Sequence, residues 1–282
     1  MQEPPVRHVS STRIVAVRGR ELEIRADTVV GEEPLEIRAA GPREEPVAVA
    51  VTMRTPGHED ELAVGFLRTE GLIAGTEIAA IEYGDPALLN RPDDTVIVRL
   101  SRPFDAEAVA TRNFVATASC GICGKASLDA VSVVAEPLPA GPVVKLATIL
   151  ALPDRLRAAQ RVFETTGGLH AAGLFTPAGE LVEVREDVGR HNALDKLVGS
   201  QVLAGQVRLT DRILMVSGRV SFEIVQKAAV AGIPILCAVS APSDLAVEAA
   251  ERLGVTLIGF LRGDGFNLYS HDNRVDLADL SG

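Results

Sequence analysis

Ser119-Cys120-Gly121-Ile122-Cys123-Gly124-Lys125 sets two thiols three residues apart, a spacing at which they can meet each other, one metal ion or one sulfur-bearing substrate. Each use asks for different company. A structural zinc site takes four ligands and usually a second pair, but Cys237 lies alone in the apolar run Ile233 to Val239. A thioredoxin-like dithiol belongs beside an early βαβ unit, whereas this pair follows a mostly β-rich stretch of chain that contains no Trp. None of His8, His58, His170, His191 or His271 is followed two residues on by Glu, and Ser119 stands where a zinc deaminase carries Pro. The remaining use is a nucleophilic or sulfur-carrying thiol. Gly121 and Gly124 give the loop conformational freedom and room for a partner, while Lys125 and Arg112 favour thiolate. The opposing reading, a pair of small buried hydrophobes, is disfavoured by two glycines and a lysine but suits Cys237, which is assigned to the core.

Two further groups carry chemistry. Ser217-Gly218-Arg219, Ser240-Ala241-Pro242-Ser243 and Arg262-Gly263-Asp264-Gly265 each follow a β-branched or apolar run, so they mark the carboxyl ends of three strands, where open α/β sheets bind ligands. Arginine offers bidentate donors to phosphate, and helix starts at Ser221 and Ser243 add backbone N–H groups. Asp264 can accept from a guanine edge or a ribose hydroxyl. Neither a P-loop nor a G-x-G-x-x-G follows any strand, so an ordinary NTPase or dinucleotide dehydrogenase is not indicated. Solvated surface loops are the plain alternative. The second group is Glu186-Asp187-Val188-Gly189-Arg190-His191-Asn192. Asp187 or Asn192 can simply cap a helix; equally, Arg190 and His191 can face an anionic or redox-sensitive ligand with Asp187 orienting one of them. His170 is either a satisfied core histidine or a wall of the same cleft.

The elements that position these groups fall into two parts. From Arg13 to Arg38, short apolar stretches broken by Gly19, Gly31 and Pro34 read as antiparallel strands; Val47–Arg54 is a strand, Glu59–Glu70 a helix stopped by Gly71, and Thr95–Leu100 a strand. The Pro-rich Glu136 to Pro142 is the expected boundary between a β-rich domain, residues 1–140, and an α/β domain, residues 141–282. Beyond it the pattern predicts a helix over Pro153–Thr165, a hairpin of His170–Phe175 and Leu181–Arg185, a helix from about Gly189–Asn192 through Leu197, and then βαβαβ. The last runs through Arg212–Val216, Ser221–Ala231, Ile233–Val239, a helix to Leu253 and Val255–Phe260, and implies a largely parallel sheet covered on both faces.

Composition bounds the function. The 282 residues are 47% hydrophobic and 23% charged, which suits a folded globular chain. Lys+Arg 28 against Asp+Glu 38 gives −10, arguing against attraction to nucleic acid or anionic lipid. No apolar run approaches a membrane span, and Met1-Gln2-Glu3-Pro4-Pro5 carries no signal-peptide pattern. With only three cysteines, the expectation is a reduced, cytoplasmic compartment.

In order along the chain, Cys120-Gly121-Ile122-Cys123-Gly124, Gly168-Leu169-His170-Ala171-Ala172-Gly173, Glu186-Asp187-Val188-Gly189-Arg190-His191-Asn192-Ala193-Leu194-Asp195-Lys196, Ser217-Gly218-Arg219 and Gly259-Phe260-Leu261-Arg262 resemble the formate dehydrogenase accessory sulfurtransferase family, FdhD, over roughly residues 45 to 270. The resemblance implies an α/β (α+β overall) fold: a β-rich N-terminal part plus a three-layer α/β/α cytidine-deaminase-like domain without the zinc site. It implies a homodimer that takes persulfide sulfur from a cysteine desulfurase and passes it to the molybdenum bis-molybdopterin guanine dinucleotide cofactor, for the formate dehydrogenase apoenzyme. The cofactor is bound as substrate, and no metal is bound by the protein directly. By the same resemblance Cys120 is the persulfide cysteine with Cys123 as its partner. Phe260, Leu261, Arg262, Gly263, Asp264 and Gly265 match the cofactor-binding stretch, with Ser217, Gly218, Arg219 and His191 as further contacts. Gly263-Asp264-Gly265 is less typical of that stretch. A non-catalytic carrier or chaperone of the same cofactor is the alternative function.

Overall fold

The computed structural model describes residues 8–84, 94–112 and 135–278, and the Cys120, Cys123 and Lys125 positions lie outside that set. β1 (Val9–Arg18) and β2 (Glu21–Val30) form a two-stranded hairpin turned at Gly19, whose φ of 63° suits glycine. β3 (Glu33–Ala40), β4 (Val47–Arg54), β5 (Ile78–Tyr83) and β6 (Thr95–Leu100) make a separate sheet ordered β4-β3-β6-β5. α1 (Glu59–Thr69) follows β4, and α2 (Ala106–Arg112) follows β6. Thus the expected N-terminal strands divide between two sheets.

The central sheet has six strands in the order β13-β12-β11-β10-β8-β9, built from β8 (His170–Phe175), β9 (Leu181–Asp187), β10 (Ile213–Val216), β11 (Ile235–Ala238), β12 (Thr256–Arg262) and β13 (Gly265–Ser270). Only β10–β11 and β11–β12 pair in parallel; β8–β9, β8–β10 and β12–β13 are antiparallel, so the expected largely parallel sheet is a mixed one. The cause is loop length: β8–β9 and β12–β13 are joined by short hairpin turns, which only antiparallel strands accept. Every residue of β10 and β11 is buried, as continuous apolar strands covered on both faces must be. A short pair, β7 (Val144–Lys145) with β14 (Val275–Asp276), lies apart from this sheet.

One face of the sheet is covered by α3 (Leu146–Ala159), whose Ile149, Leu152 and Leu156 pack on Phe175, Met215, Cys237 and Ile258. The sequence pattern predicts a single helix from Pro153 to Thr165; instead Pro153 sits inside α3, and the chain breaks at Gln160 before α4 (Arg161–Thr166). An interior proline costs about 3 kcal/mol. Burial of three apolar side chains spaced i, i+3, i+7 offsets that cost, at about 1.5–3 kcal/mol each. The other face is covered by α5 (Arg190–Leu203), α6 (Phe222–Ala231) and α7 (Asp244–Leu253), with α1 outside them. Residues of β3, β6 and α1 share a continuous core with α5, α6 and α7. α7 is capped by Ser243, whose Oγ accepts from the Ala246 amide at 3.2 Å.

α1 and α5 touch backbone to backbone. A Cβ on Gly65 would lie 1.8 Å from the Asp195 carbonyl oxygen, and one on Gly199 would lie 1.8 Å from that of Glu61, so only glycine permits this crossing. It brings the α5 charges under the sheet. No helix among the described residues is long and apolar enough to cross a membrane.

Candidate functional site

The carboxyl ends of β10, β11 and β12 open onto one edge of the sheet, beside the first turn of α5. Ser217 is tied to β8 in both directions, its Oγ accepting from the Ala171 amide at 2.8 Å and its own amide donating to the Ala171 carbonyl at 3.0 Å. Gly218 then passes close to the start of β8, where a Cβ would meet His170 Nδ1 at 3.2 Å, with Arg190 Cδ of α5 in ordinary contact at 3.8 Å. Ser217, Gly218, His170 and Arg190 are therefore gathered at one point. The Arg190 Nε is buried and has no hydrogen-bond partner among the described residues.

His191, one residue on, shares a 3.2 Å hydrogen bond between its Nε2 and the Ser221 Oγ, at the start of α6. Burial is the main reason its pKa falls to about 3, reinforced by the positive charges of Lys227 and Arg190 against the opposing Glu70. His170 is likewise pushed down, first by burial and then by Arg190, with Asp187 opposing and Arg219 adding. Both imidazoles are neutral near pH 7, so the positive charge here comes from Arg190 and Arg219. That combination suits a phosphate or other anion, with neutral histidines as hydrogen-bonding walls.

The second strand end is reached across β11. Val220 bridges to Pro242, and the Phe260 amide donates to the Ser240 carbonyl at 3.2 Å. The Ser217–Arg219 and Phe260–Arg262 segments thus stand two strand spacings apart, roughly 10 Å. Phe260 adopts φ 54°, left-handed for a bulky residue, at an irregularity of β12 between Gly259 and Arg262; the Arg262 guanidinium lies over its ring at 5.8 Å. Leu261 is fully buried in the α3-side core and holds this segment from beneath. Gly263 and Asp264 form the two-residue turn of the β12–β13 hairpin, with Arg262 and Gly265 paired across it, so Asp264 is exposed at the hairpin tip.

Asp187 lies at the base of the site rather than in it. Fully buried, its carboxylate pairs with Lys196 at 2.7 Å and accepts from the Thr55 and Gly189 amides at 3.0 and 2.8 Å and from Asn192 Nδ2 at 3.1 Å. It fixes the turn into α5, and through it the positions of Arg190 and His191. Lys227 was not singled out by sequence, although a lone lysine in the apolar Phe222–Ala231 was the available signal. Buried, it bridges both Asp195 oxygens at 2.9 and 2.8 Å, Glu70 at 3.1 Å and Thr69 at 2.9 Å. Cys237 is fully buried, with its thiol pKa pushed up by desolvation, as its assignment to the core requires.

The FdhD/NarQ family profile matches residues 30–276, nearly the whole chain. The chain belongs to the FdhD/NarQ family. It is 48% identical over 272 residues to the sulfur carrier protein FdhD of Streptomyces avermitilis, covering 94% of this chain and 95% of that one. Identity to the protein of the same name from Mycolicibacterium paratuberculosis is 49% over 275 residues, covering 94% and 98%. With that of Mycobacterium tuberculosis it is 45% over 281 residues, covering 96% of each. The fold is similar to the crystal structure of a protein from Desulfotalea psychrophila assigned as a formate dehydrogenase accessory protein, at TM-score 0.73 and 24% identity, covering 95% and 99%. The motifs that suggested this family from sequence flank the strand-end site: the Gly168–Gly173 run supplies β8, and the Glu186–Lys196 run supplies the end of β9 and the start of α5.

Proposed function

We propose that this chain is a sulfur carrier for formate dehydrogenase that works as a sulfurtransferase in the cytoplasm. It takes sulfur from a cysteine desulfurase onto Cys120 and hands it to molybdenum in the bis-molybdopterin guanine dinucleotide cofactor, which is bound as substrate. The observation that carries this reading is the near full-length likeness, at 45–49% identity, to proteins named sulfur carriers. In the first step the Cys120 thiolate attacks the outer sulfur of the donor's persulfide, a new S–S bond forms, and the donor cysteine leaves as thiolate. In the second, the Cys120 persulfide S–S bond breaks, Cys120 keeps the electron pair as thiolate, and the reduced metal supplies the two electrons that turn the transferred atom into a sulfide ligand.

The strand-end residues suit the phosphate-bearing part of such a substrate. Arg190 stands beside Gly218 at the first turn of α5, and Arg219 and Arg262 bring charge from the ends of β10 and β12, on either side of β11. Lys125 and Cys123 are assigned to the thiol loop by sequence, Lys125 keeping Cys120 ionised. The homodimer remains part of the proposal on family grounds. Intact mass after incubation with a cysteine desulfurase and cysteine tests it. A gain of about 32 Da, removed by thiol reductant and absent from Cys120→Ala, is expected of a persulfide. No gain with an active donor overturns the covalent role and leaves a carrier without sulfur chemistry.

A further inference from the structure

The β1–β2 hairpin leaves the body of the protein as an arm held at its root. There the Gly31 amide donates to the His8 carbonyl at 2.8 Å, a Cβ on Gly57 would meet the His8 ring at 2.5 Å, and one on Gly168 would meet Val30 Cγ1 at 3.2 Å. Beyond the root its two faces are unlike. Directly opposed residues share a face, so the pairs Val15–Ile24 and Val17–Leu22 put four large apolar side chains on one of them. These are 58, 54, 67 and 66% exposed. The other face carries Arg18 opposite Glu21, with Glu23 and Arg25 beside them. A two-stranded ribbon is marginal in water by itself, and one whose apolar face is bare needs a cover.

The same chain carries a bare apolar seat. Val51 and Met53 lie two residues apart on the edge strand β4, hence on one face, 53 and 37% exposed, with Pro34 directly opposite Met53. Charge favours bringing the two surfaces together. Residues 9–30 hold four arginines against three carboxylates, a charge of +1, which leaves −11 on the rest of a chain whose total is −10. The arm is thus drawn to the acidic body of another copy, while two bodies alone repel. Area decides how many arms take part. A ribbon of ten-residue strands is about 33 Å long and about 10 Å wide, so one seated face covers about 300 Å² on each copy. A single contact then buries about 600 Å², the size of a packing contact, whereas two equivalent contacts bury about 1,200 Å², where stable interfaces begin. We propose that each copy lays the apolar face of its arm over Val51 and Met53 of a second copy, which returns the contact about a two-fold axis. The inference rests on the homodimer reading above and gives that dimer its surface.

Analytical ultracentrifugation of wild type, Val17→Asp, Val51→Asp and an equimolar mixture of the two variants tests this. Both positions face solvent in the single chain, so far-ultraviolet dichroism should be unchanged in either variant. A carboxylate in an apolar contact is left unpaired, and each variant alone spoils both contacts, so its dimer dissociation constant should rise at least about a hundredfold. The mixture is the discriminating sample. A mixed dimer keeps one intact contact, the arm of Val51→Asp on the seat of Val17→Asp, and should form more tightly than either variant with itself and more weakly than wild type. A Val51→Asp protein that dimerises like wild type, or a mixture no tighter than its components, overturns the exchange. A wild-type dimer indifferent to both substitutions leaves the homodimer standing and removes only this surface, whereas a monomeric wild type removes the homodimer reading itself. Sulfur uptake at Cys120 reports separately on the carrier reading.

Discussion

Protonation of His191 should make this protein acid-sensitive over a defined window. Its pKa falls from 6.5 to about 3 because burial, Lys227 and Arg190 all oppose a second positive charge, with only Glu70 opposing them; Glu223 Oε2 stands 4.0 Å from Nε2. A histidine whose folded pKa lies below its unfolded value takes up its proton only in the unfolded chain between those two values. Its contribution is therefore neutral above about pH 6.5 and increasingly destabilising as pH falls toward 3. Each unit is about 1.4 kcal/mol, so acidifying from about pH 7 to about pH 5 should cost about 2 kcal/mol through this residue alone. Glu61, lowered to about 2 chiefly by Arg185 and His58 against the cost of its burial, contributes stability that is lost only below about 4.5, outside this window. The assay is urea unfolding at both pH values for wild type and His191→Gln, which keeps a partner for Ser221. Glu70, Asp195, Lys227 and His170 are present in both proteins and cancel in the difference. The wild type should lose about 2 kcal/mol more than the variant. Equal losses, or a His191 ring proton titrating near its ordinary value by NMR, would refute the argument from burial and neighbouring charge.

Other consequences follow from the packing. Gly65→Ala drives a methyl group into the Asp195 carbonyl and should destabilise by about 3 kcal/mol in denaturant unfolding; a loss under about 1 kcal/mol would contradict the α1–α5 contact. Lys227→Met strands the Asp195 and Glu70 carboxylates and should cost about 3–5 kcal/mol, partly recovered by adding Asp195→Asn; a single variant as stable as wild type would show that this pair is not buried as described. Cys237 should resist alkylation in the native protein, and Cys237→Ala should leave sulfur uptake unchanged; rapid modification of the folded protein at Cys237 would place it outside the core.

The central strands and their caps are legible in sequence because the controlling interactions are local. Ile213–Val216 and Ile235–Ala238 are continuous apolar runs, and Ser243 and Gly254 bracket α7 by capping chemistry that reaches only a few residues. The break at Gln160 was not legible, since Pro153 reads as a helix start unless the burial of Ile149 and Leu152 ahead of it is known. The sequence pattern carries α5 to Leu197, whereas the helix runs on to Leu203, and the burial of two charges within it is not visible in the pattern. Asp195 and Lys196 look like solvated charges, yet their partners Thr69, Lys227, Thr55 and Asp187 come from distant β-to-helix turns or from across a glycine crossing. Of the proposed binding residues, Ser217 to Arg219 follow from the rule that ligands sit at strand ends. Arg190 and His191 came from an unusual polar density. Leu261 comes with its segment and supports it from the core.

The most direct test of the central claim follows one sulfur atom. The protein is loaded at Cys120 with ³⁵S from a cysteine desulfurase, separated from donor, and mixed with cofactor-bearing but inactive formate dehydrogenase. The account predicts that label leaves the carrier, appears in the enzyme's extracted cofactor, and does so in proportion to the formate oxidation gained, with neither label nor activity transferred by Cys120→Ala. Activation by Cys120→Ala equal to wild type, or activation without label, would contradict it.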